Sequence, residues 1–293
     1  MKLQEQIDHN EHELKPDEIE YGNLSWAGGI QDTTAQWNPN PNGRFWIAKG
    51  CHPTEDFRNK KEKKMINGVL AWAPMASHIG CFGVDPYNRS VTVDSRGSRG
   101  AIHLSTKTNT SALPNEAFIL EYIDRPLKVE IFFEDVILAM VYFSMPILPE
   151  LSNDDFSKTL VNRGYRHFVQ NNPFKNWNEL SATEKLLGGI NAQDSKFATQ
   201  QFYAIESYIE DYVGVAREGG NRNTGAIGYM PFTRTLLQWK DTDPNKRTKY
   251  DAYISSSLSR LGNQKLEIKV KAKEPRRIPF TTYDNKGNTS VKK

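Results

Sequence analysis

The sequence predicts an α/β fold, on three observations. From residue 78 onward, apolar runs of strand length alternate with segments that repeat at helical spacing, the order expected of a sheet covered by helices. Val129, Phe132, Val136, Met140 and Phe143 recur at intervals of three and four, a stripe that a helix lays across a sheet. Two apolar runs, residues 78–87 and 141–150, each deliver an acid next to a proline, where strand pairing stops.

The elements follow in chain order. Residues 1–43 are acidic at first and then rich in Gly, Asn, Thr and Pro, with a strong turn signal from Asn38 to Gly43, so they read as an arm or interdomain linker. Arg44 to Ala48 is a short strand. The basic run from Arg58 to Lys64 is a solvated charged loop or a surface for phosphate, in equal measure. A strand then ends at Asp85, and two more span Ala101 to Ser105 and Phe118 to Tyr122. After the helix of the apolar stripe, the run 141–150 reads as a buried strand with prolines on either side of Ile147 and Leu148, ending at Glu150. A short helix over 154–163 stops at Gly164, before a strand from Tyr165 to Val169. A long helix runs from about Ser195 to Val213 with Phe202, Ile205, Ile209 and Tyr212 on one face. The Gly/Asn/Arg stretch 217–225 is a loop. Asp251, Ile254, Leu258 and Leu261 share one face of a late helix, which puts an acid on its apolar side.

At 293 residues with 38% hydrophobic content, the chain supports one principal domain with long polar loops. Its 38 basic residues are nearly offset by 35 acidic ones, and a net charge of +3 does not by itself imply nucleic acid. Two cysteines, Cys51 and Cys81, make no disulfide framework and fit a reducing cytoplasm. No apolar stretch reaches the roughly 20 residues of a membrane span, and the N-terminus lacks the apolar core of a signal peptide. The expectation is a soluble, intracellular protein without a membrane partner.

Asp85, Glu150 and Asp251 therefore carry the chemistry. Three carboxylates converging in an interior cleft repel one another and call for cations. Hard oxygen donors favour Mg²⁺ or Mn²⁺ over zinc, and two such ions about 3.5–4 Å apart act on a phosphodiester from both sides. That arrangement predicts a metal-dependent nuclease. Other titratable groups compete poorly. His9 and His12 lack the further ligands of a zinc site. His103 and His167 read as structural histidines, and Glu121, Asp124, Glu130, Glu134 and Asp135 read as solvated or ion-paired.

An ordered set of segments resembles a known family. Gly83-Val84-Asp85-Pro86-Tyr87 is followed by Gly97-Ser98-Arg99-Gly100-Ala101, then by Glu121-Tyr122-Ile123-Asp124-Arg125-Pro126. Pro146-Ile147-Leu148-Pro149-Glu150 comes next, and Tyr250-Asp251-Ala252-Tyr253-Ile254-Ser255-Ser256-Ser257-Leu258 closes the set. Together these resemble the C-terminal nuclease domain of tailed-bacteriophage large terminases, over roughly residues 44–262. The resemblance implies a ribonuclease H-like fold, a mixed central sheet flanked by helices, in which Asp85, Glu150 and Asp251 hold two metal ions. It implies Asp94 as an auxiliary ligand, a position that a turn-forming aspartate explains equally well. Asn88 falls between a water-orienting role and a turn in the same way. It also implies cleavage of double-stranded DNA with little sequence preference. Lys60, Lys61, Lys63, Lys64, Arg96, Arg99, Lys196, Arg217 and Arg222 are the candidate phosphate contacts. Residues 217–225 become a lid or DNA-facing loop, or an ordinary hairpin tip.

On this reading 1–43 is the interdomain linker, 44–262 the nuclease domain and 263–293 a basic tail that binds phosphate or docks on the portal. The implied partners are the procapsid portal protein, the terminase ATPase domain and the small terminase subunit, in the host bacterial cytoplasm and transiently at the portal vertex. Full members of the family carry an ATPase motor with a Gly-x-x-x-x-Gly-Lys-Ser/Thr phosphate loop. No such motif occurs in this sequence, so ATP hydrolysis is not assigned to it, and the expectation is a piece of a longer protein rather than a separately encoded nuclease. Two alternatives stay open: a ribonuclease H-like resolvase or recombinase using the same acids on branched DNA, and a non-catalytic module that binds DNA or the portal.

Overall fold

The computed structural model describes residues 2–14, 16–29, 32–87, 98–107, 113–151, 154–191, 195–214, 230–243, 250–264, 280–283 and 289–292. The first half is dominated by strands: after α1 (Lys2–His12) come β1 (Ile19–Trp26), β2 (Ala35–Pro39), β3 (Phe45–Ala48), β4 (Lys61–Ile66), β5 (Val69–Pro74), β6 (Gly80–Asp85), β7 (Gly100–Thr106) and β8 (Phe118–Asp124). The remainder is mostly helical, with α2 (Val129–Phe143), β9 (Ile147–Pro149), α3 (Asp154–Asn162), α4 (Ala182–Leu187), α5 (Ser195–Tyr212), α6 (Thr233–Asp241) and α7 (Asp251–Asn263). Two last strands, β10 (Phe280–Tyr283) and β11 (Thr289–Lys292), pair with each other.

Seven strands form one mixed sheet in the order β2-β1-β3-β8-β7-β6-β9. β6, β7 and β8 are antiparallel neighbours, while β9 runs parallel to β6, and a parallel bridge joins Ile147 to Val169 beyond it. An antiparallel meander followed by a parallel strand on the outer side of its first member is the ribonuclease H-like arrangement. The expected fold class is therefore met.

Alternation along each strand assigns the two faces. Phe82 on β6 meets Phe143, and Tyr122 on β8 meets Phe132, so this side of the sheet lies under α2. A register shift in the β7–β8 pairing, with Leu104 opposite Leu120 but Ser105 opposite Phe118, turns Phe118 to the other face. There it packs against Tyr208 of α5 and Trp239 of α6, and Cys81 and Gly83 of β6 lie against α7. Helices cover both faces, and β6 to β8 accordingly read as nearly unbroken buried runs. Cys51 and Cys81 are free and buried, and burial pushes their thiols up to about 11 and about 12.

Four expectations need correction. Residues 19–39 are no linker: β1 pairs with β3 and β2 and extends the main sheet, burying Ile19, Leu24 and Trp26. The basic run is a loop only at its start: Arg58 to Lys60 lie in and just after a turn, whereas Lys61 to Ile66 form β4, half of a hairpin closed at Asn67-Gly68 with both φ angles positive. The strand expected at Tyr165 to Val169 is a single 3-10 turn over Arg166–Phe168, and only Val169 bridges to the sheet. Around Glu150, the apolar run divides: residues through Phe143 complete α2, and only Ile147–Pro149 are strand.

Candidate active site

The register of β6 and β9 places two of the three acids. Gly83 pairs with Leu148 and Val84 with Pro149, so one step further Asp85 stands beside Glu150. The Glu150 N–H donates to the Val84 carbonyl at 2.9 Å, which carries the parallel ladder to that point. Asp85 and Glu150 are both buried, at 7% and 6% exposure, at the C-terminal ends of their strands.

Helix α7 brings the third acid. A Cβ built on Gly83 would stand 1.9 Å from the Ser255 carbonyl oxygen and 2.3 Å from the Ser259 nitrogen, so the helix lies directly on the strand at this glycine. At Gly262 a Cβ would stand 2.4 Å from Cys81 Sγ. Strand numbers thus rise as helix numbers fall, and α7 runs antiparallel to β6. Two strand residues past Gly83 advance about 6.7 Å, and one helical turn before Ser255 spans about 6 Å. These steps reach Asp85 and Asp251 at the same end. Asp85 also shares the α7-facing side of β6 with Cys81 and Gly83, because they alternate. The close approach is possible because the β6-facing side of α7 is small, made of Ser255, Ser259 and Gly262, while Ser256 and Ser257 turn to Trp239 of α6 and Gln201 of α5. The Ser259 hydroxyl donates to the Cys81 carbonyl at 2.7 Å and Ser255 pairs with His103 Nδ1 at 2.7 Å.

Burial raises the Asp251 carboxyl above its ordinary value, against hydrogen bonds from the Arg99 N–H and the Ser98 hydroxyl and the charges of Arg99 and Arg125. The Ser98 hydroxyl donates to Oδ1 at 3.2 Å and the Arg99 N–H to Oδ2 at 3.1 Å. The Arg125 guanidinium lies 4.7 Å from the Tyr87 ring centroid and donates to the Ser98 carbonyl, while the Tyr87 hydroxyl donates to the Pro126 carbonyl at 2.9 Å. Two arginines thus border the acid face. Among the described residues, however, no three His, Cys, Asp or Glu side chains gather into a finished metal cluster. The three acids match divalent-cation chemistry in donor type and share one face and one end of the sheet. Both oxygens of Asp251 are engaged by the segment at Ser98 and Arg99.

Of the candidate phosphate contacts, Arg99 is exposed beside Asp251. Lys60, Lys61, Lys63 and Lys64 lie elsewhere, in and beside the β4–β5 hairpin, whose base is tied to Ser144 before the start of β9. Lys61 and Lys63 stand over the Trp72 ring at 5.5 and 5.0 Å, and Lys64 pairs with Glu62 at 2.6 Å. The structure does not bring these lysines to the acids. Lys196 begins α5, and nothing is described of its side chain. Asn88, Asp94, Arg96, Arg217 and Arg222, the stretch 217–225 and most of the basic tail lie outside the described residues.

Sequence reasoning missed Arg125 as a neighbour of the acids, and it missed a buried polar network under α6 and α7. Glu121 is fully buried and accepts from Arg234 Nε at 2.8 Å and from the Thr235 hydroxyl. Thr235 Oγ1 also meets His103 Nε2 at 2.7 Å, and Arg234 stacks 3.5 Å from the Trp46 ring centroid. Burial pushes His103 down. Burial opposes ionisation of Glu121, but His103, Arg234 and Thr235 outweigh it and hold the carboxyl below its ordinary value. The signal in the sequence was the acid itself, a glutamate inside the apolar run Phe118 to Ile123.

No helix among the described residues is long and apolar enough to cross a membrane. No family model matches the chain, and no curated protein matches it significantly. Among solved structures, the chain is similar to the large terminase nuclease from thermophilic phage G20c with bound zinc, at 10% identity and a TM-score of 0.39, over 70% of this chain and 93% of that one. At that identity and TM-score the likeness decides nothing about activity, and the fold rests on the strand order and directions described above.

Proposed function

We propose that this chain is a divalent-cation-dependent endonuclease that hydrolyses double-stranded DNA with little sequence preference, in the packaging of a viral genome. The observation that carries the reading is the delivery of Asp85, Glu150 and Asp251 to one face and one end of a ribonuclease H-like sheet by β6, β9 and α7. These three would hold Mg²⁺ or Mn²⁺, whose charge activates water and offsets that of the phosphodiester. Asp85 stands between the other two, with Glu150 beside it on β9 and Asp251 brought to the same end by α7. Arg99, exposed at the rim, would bind a flanking phosphate, and Arg125 would hold the Ser98–Arg99 segment that contacts Asp251. Duplex DNA is the substrate of this reading, and the procapsid portal, the terminase ATPase domain and the small terminase subunit are its partners.

Cleavage of supercoiled plasmid with Mg²⁺ or Mn²⁺ tests it, with Asp85→Ala, Glu150→Ala and Asp251→Ala alongside the unaltered chain. A second reading is favoured by the hydrogen bonds that Ser98 and Arg99 make to both oxygens of Asp251: a module that binds DNA or the portal without cutting. The plasmid assay separates the two, because the module nicks nothing with either ion. Preferential cutting of a four-way junction over linear duplex would instead mark a resolvase.

A further inference from the structure

At the opposite end of β9 from Glu150, a groove of about 570 Å³ lies between the β4–β5 hairpin and the turn carrying Arg166. Its volume falls in the range of about 300–1,000 Å³ typical of ligand sites. Cross-strand pairs put Glu62, Lys64, Ile66, Val69, Ala71 and Ala73 on one face of the hairpin. Near the base this face is packed, with Ala71 and Ala73 buried. At the tip it is open, with Ile66 and Val69 each 42% exposed. Leu186, 57% exposed on α4, continues the aliphatic floor, and Trp177 closes one side.

The charge of the groove has one sign. Among the described residues lining it, none is acidic. Lys64 is paired with Glu62, which stands on the same face of the hairpin toward its base, so Arg166 and Lys185 set the field. Arg166 is buried, and its guanidinium donates only to neutral acceptors: the Leu186 carbonyl at 2.7 Å, the Val169 carbonyl at 2.8 Å, the Lys185 carbonyl at 2.9 Å and Asn171 Oδ1. Burial pulls it down to about 10, which leaves it cationic at neutral pH. A buried cation without a carboxylate leaves positive charge uncompensated, and the low-dielectric walls of a cleft focus it.

We propose that this groove docks an extended, acidic segment of a protein partner, with aliphatic side chains on the Ile66–Val69–Leu186 floor and carboxylates at Lys185 and above Arg166. Aliphatic walls argue against nucleic acid, whose bases stack on aromatic platforms. The one aromatic here, Trp177, has Lys185 over its ring at 5.6 Å. Docking in this groove uses neither Asp85, Glu150 and Asp251 nor a metal ion.

Fluorescence anisotropy of the full chain tests it, with a short labelled peptide alternating glutamate and leucine. The comparison probes replace glutamate by lysine or leucine by serine, and labelled duplex DNA is the fourth. Saturable binding of the glutamate–leucine peptide alone is expected, weakened about tenfold by Lys185→Glu and by Leu186→Ser, with unchanged thermal melting. Both side chains point to solvent at least in part, so the variants fold. Failure of that peptide to bind, equal binding of the lysine version, or affinity indifferent to both substitutions overturns the proposal. So does displacement of the peptide by duplex DNA, which would assign the groove to nucleic acid.

Discussion

Replacing Gly83 by alanine tests the contact that delivers Asp251 to Asp85. The added Cβ would stand 1.9 Å from the Ser255 carbonyl oxygen and 2.3 Å from the Ser259 nitrogen, both backbone atoms that no rotamer change can move away. Ordinary contact begins at 3.4 Å, so α7 must retreat from β6 by about 1.5 Å. Overpacking of a close-packed interior costs about 1–3 kcal/mol, and a rigid backbone contact belongs at the upper end. The retreat also breaks the Ser259 hydroxyl bond to Cys81 and draws Asp251 away from the strand ends. A displacement on the order of 1 Å at a reacting centre lowers turnover by about 10²-fold. Urea denaturation should report the stability loss, and plasmid cleavage under conditions where the variant stays folded should report the activity loss. A Gly83→Ala protein with unaltered midpoint and unaltered cleavage would refute the placement of α7 on β6, and with it the convergence of the three acids.

Other perturbations give equally definite outcomes. Glu121→Ala strips Arg234 and Thr235 of their buried acceptor and should destabilise the fold by about 3–5 kcal/mol in chemical denaturation. The folded-state pKa of His103 is depressed below 6.5, so between that lowered value and about 6.5 the unfolded chain binds more protons. Stability should therefore rise with pH through this window and fall as pH drops through it, and His103→Asn should remove that component of the slope. Arg99→Ala should raise the KM for duplex DNA more than it lowers kcat, and should reduce the salt slope of binding by about 0.9. Reversal of Lys61 and Lys63 to glutamate should leave cleavage rates intact, since both side chains lie over Trp72 rather than beside the acids.

The positions of the acids were legible because their surroundings are. Residues 79–84 are apolar and buried on both faces, so the strand and its end at Asp85 are hard to misread. The spacing of Asp251, Ile254, Leu258 and Leu261 fixes the phase of α7, and the structure keeps that helix from its first residue. What the sequence concealed were strands whose patterns are masked by polar residues. In β1, Ile19, Leu24 and Trp26 are buried among Glu20, Gly22 and Asn23, which mimic linker composition. In β4 the lysines override any apolar alternation, and the real signal was Asn67-Gly68, the dipeptide that closes two-residue hairpins. The Glu121 network was hidden because its partners sit more than 100 residues away, at positions 234 and 235. Long-range polar pairing leaves no periodicity to read.

In the proposed function Asp85, Glu150 and Asp251 act together on a phosphodiester. Supercoiled plasmid incubated with Mg²⁺ or Mn²⁺ tests it most directly, with the three alanine variants checked for folding by thermal melting. Metal-dependent nicking and linearisation, abolished in every folded variant, is the predicted result. Cleavage that survives the substitutions, or fails to appear with either ion, would contradict it.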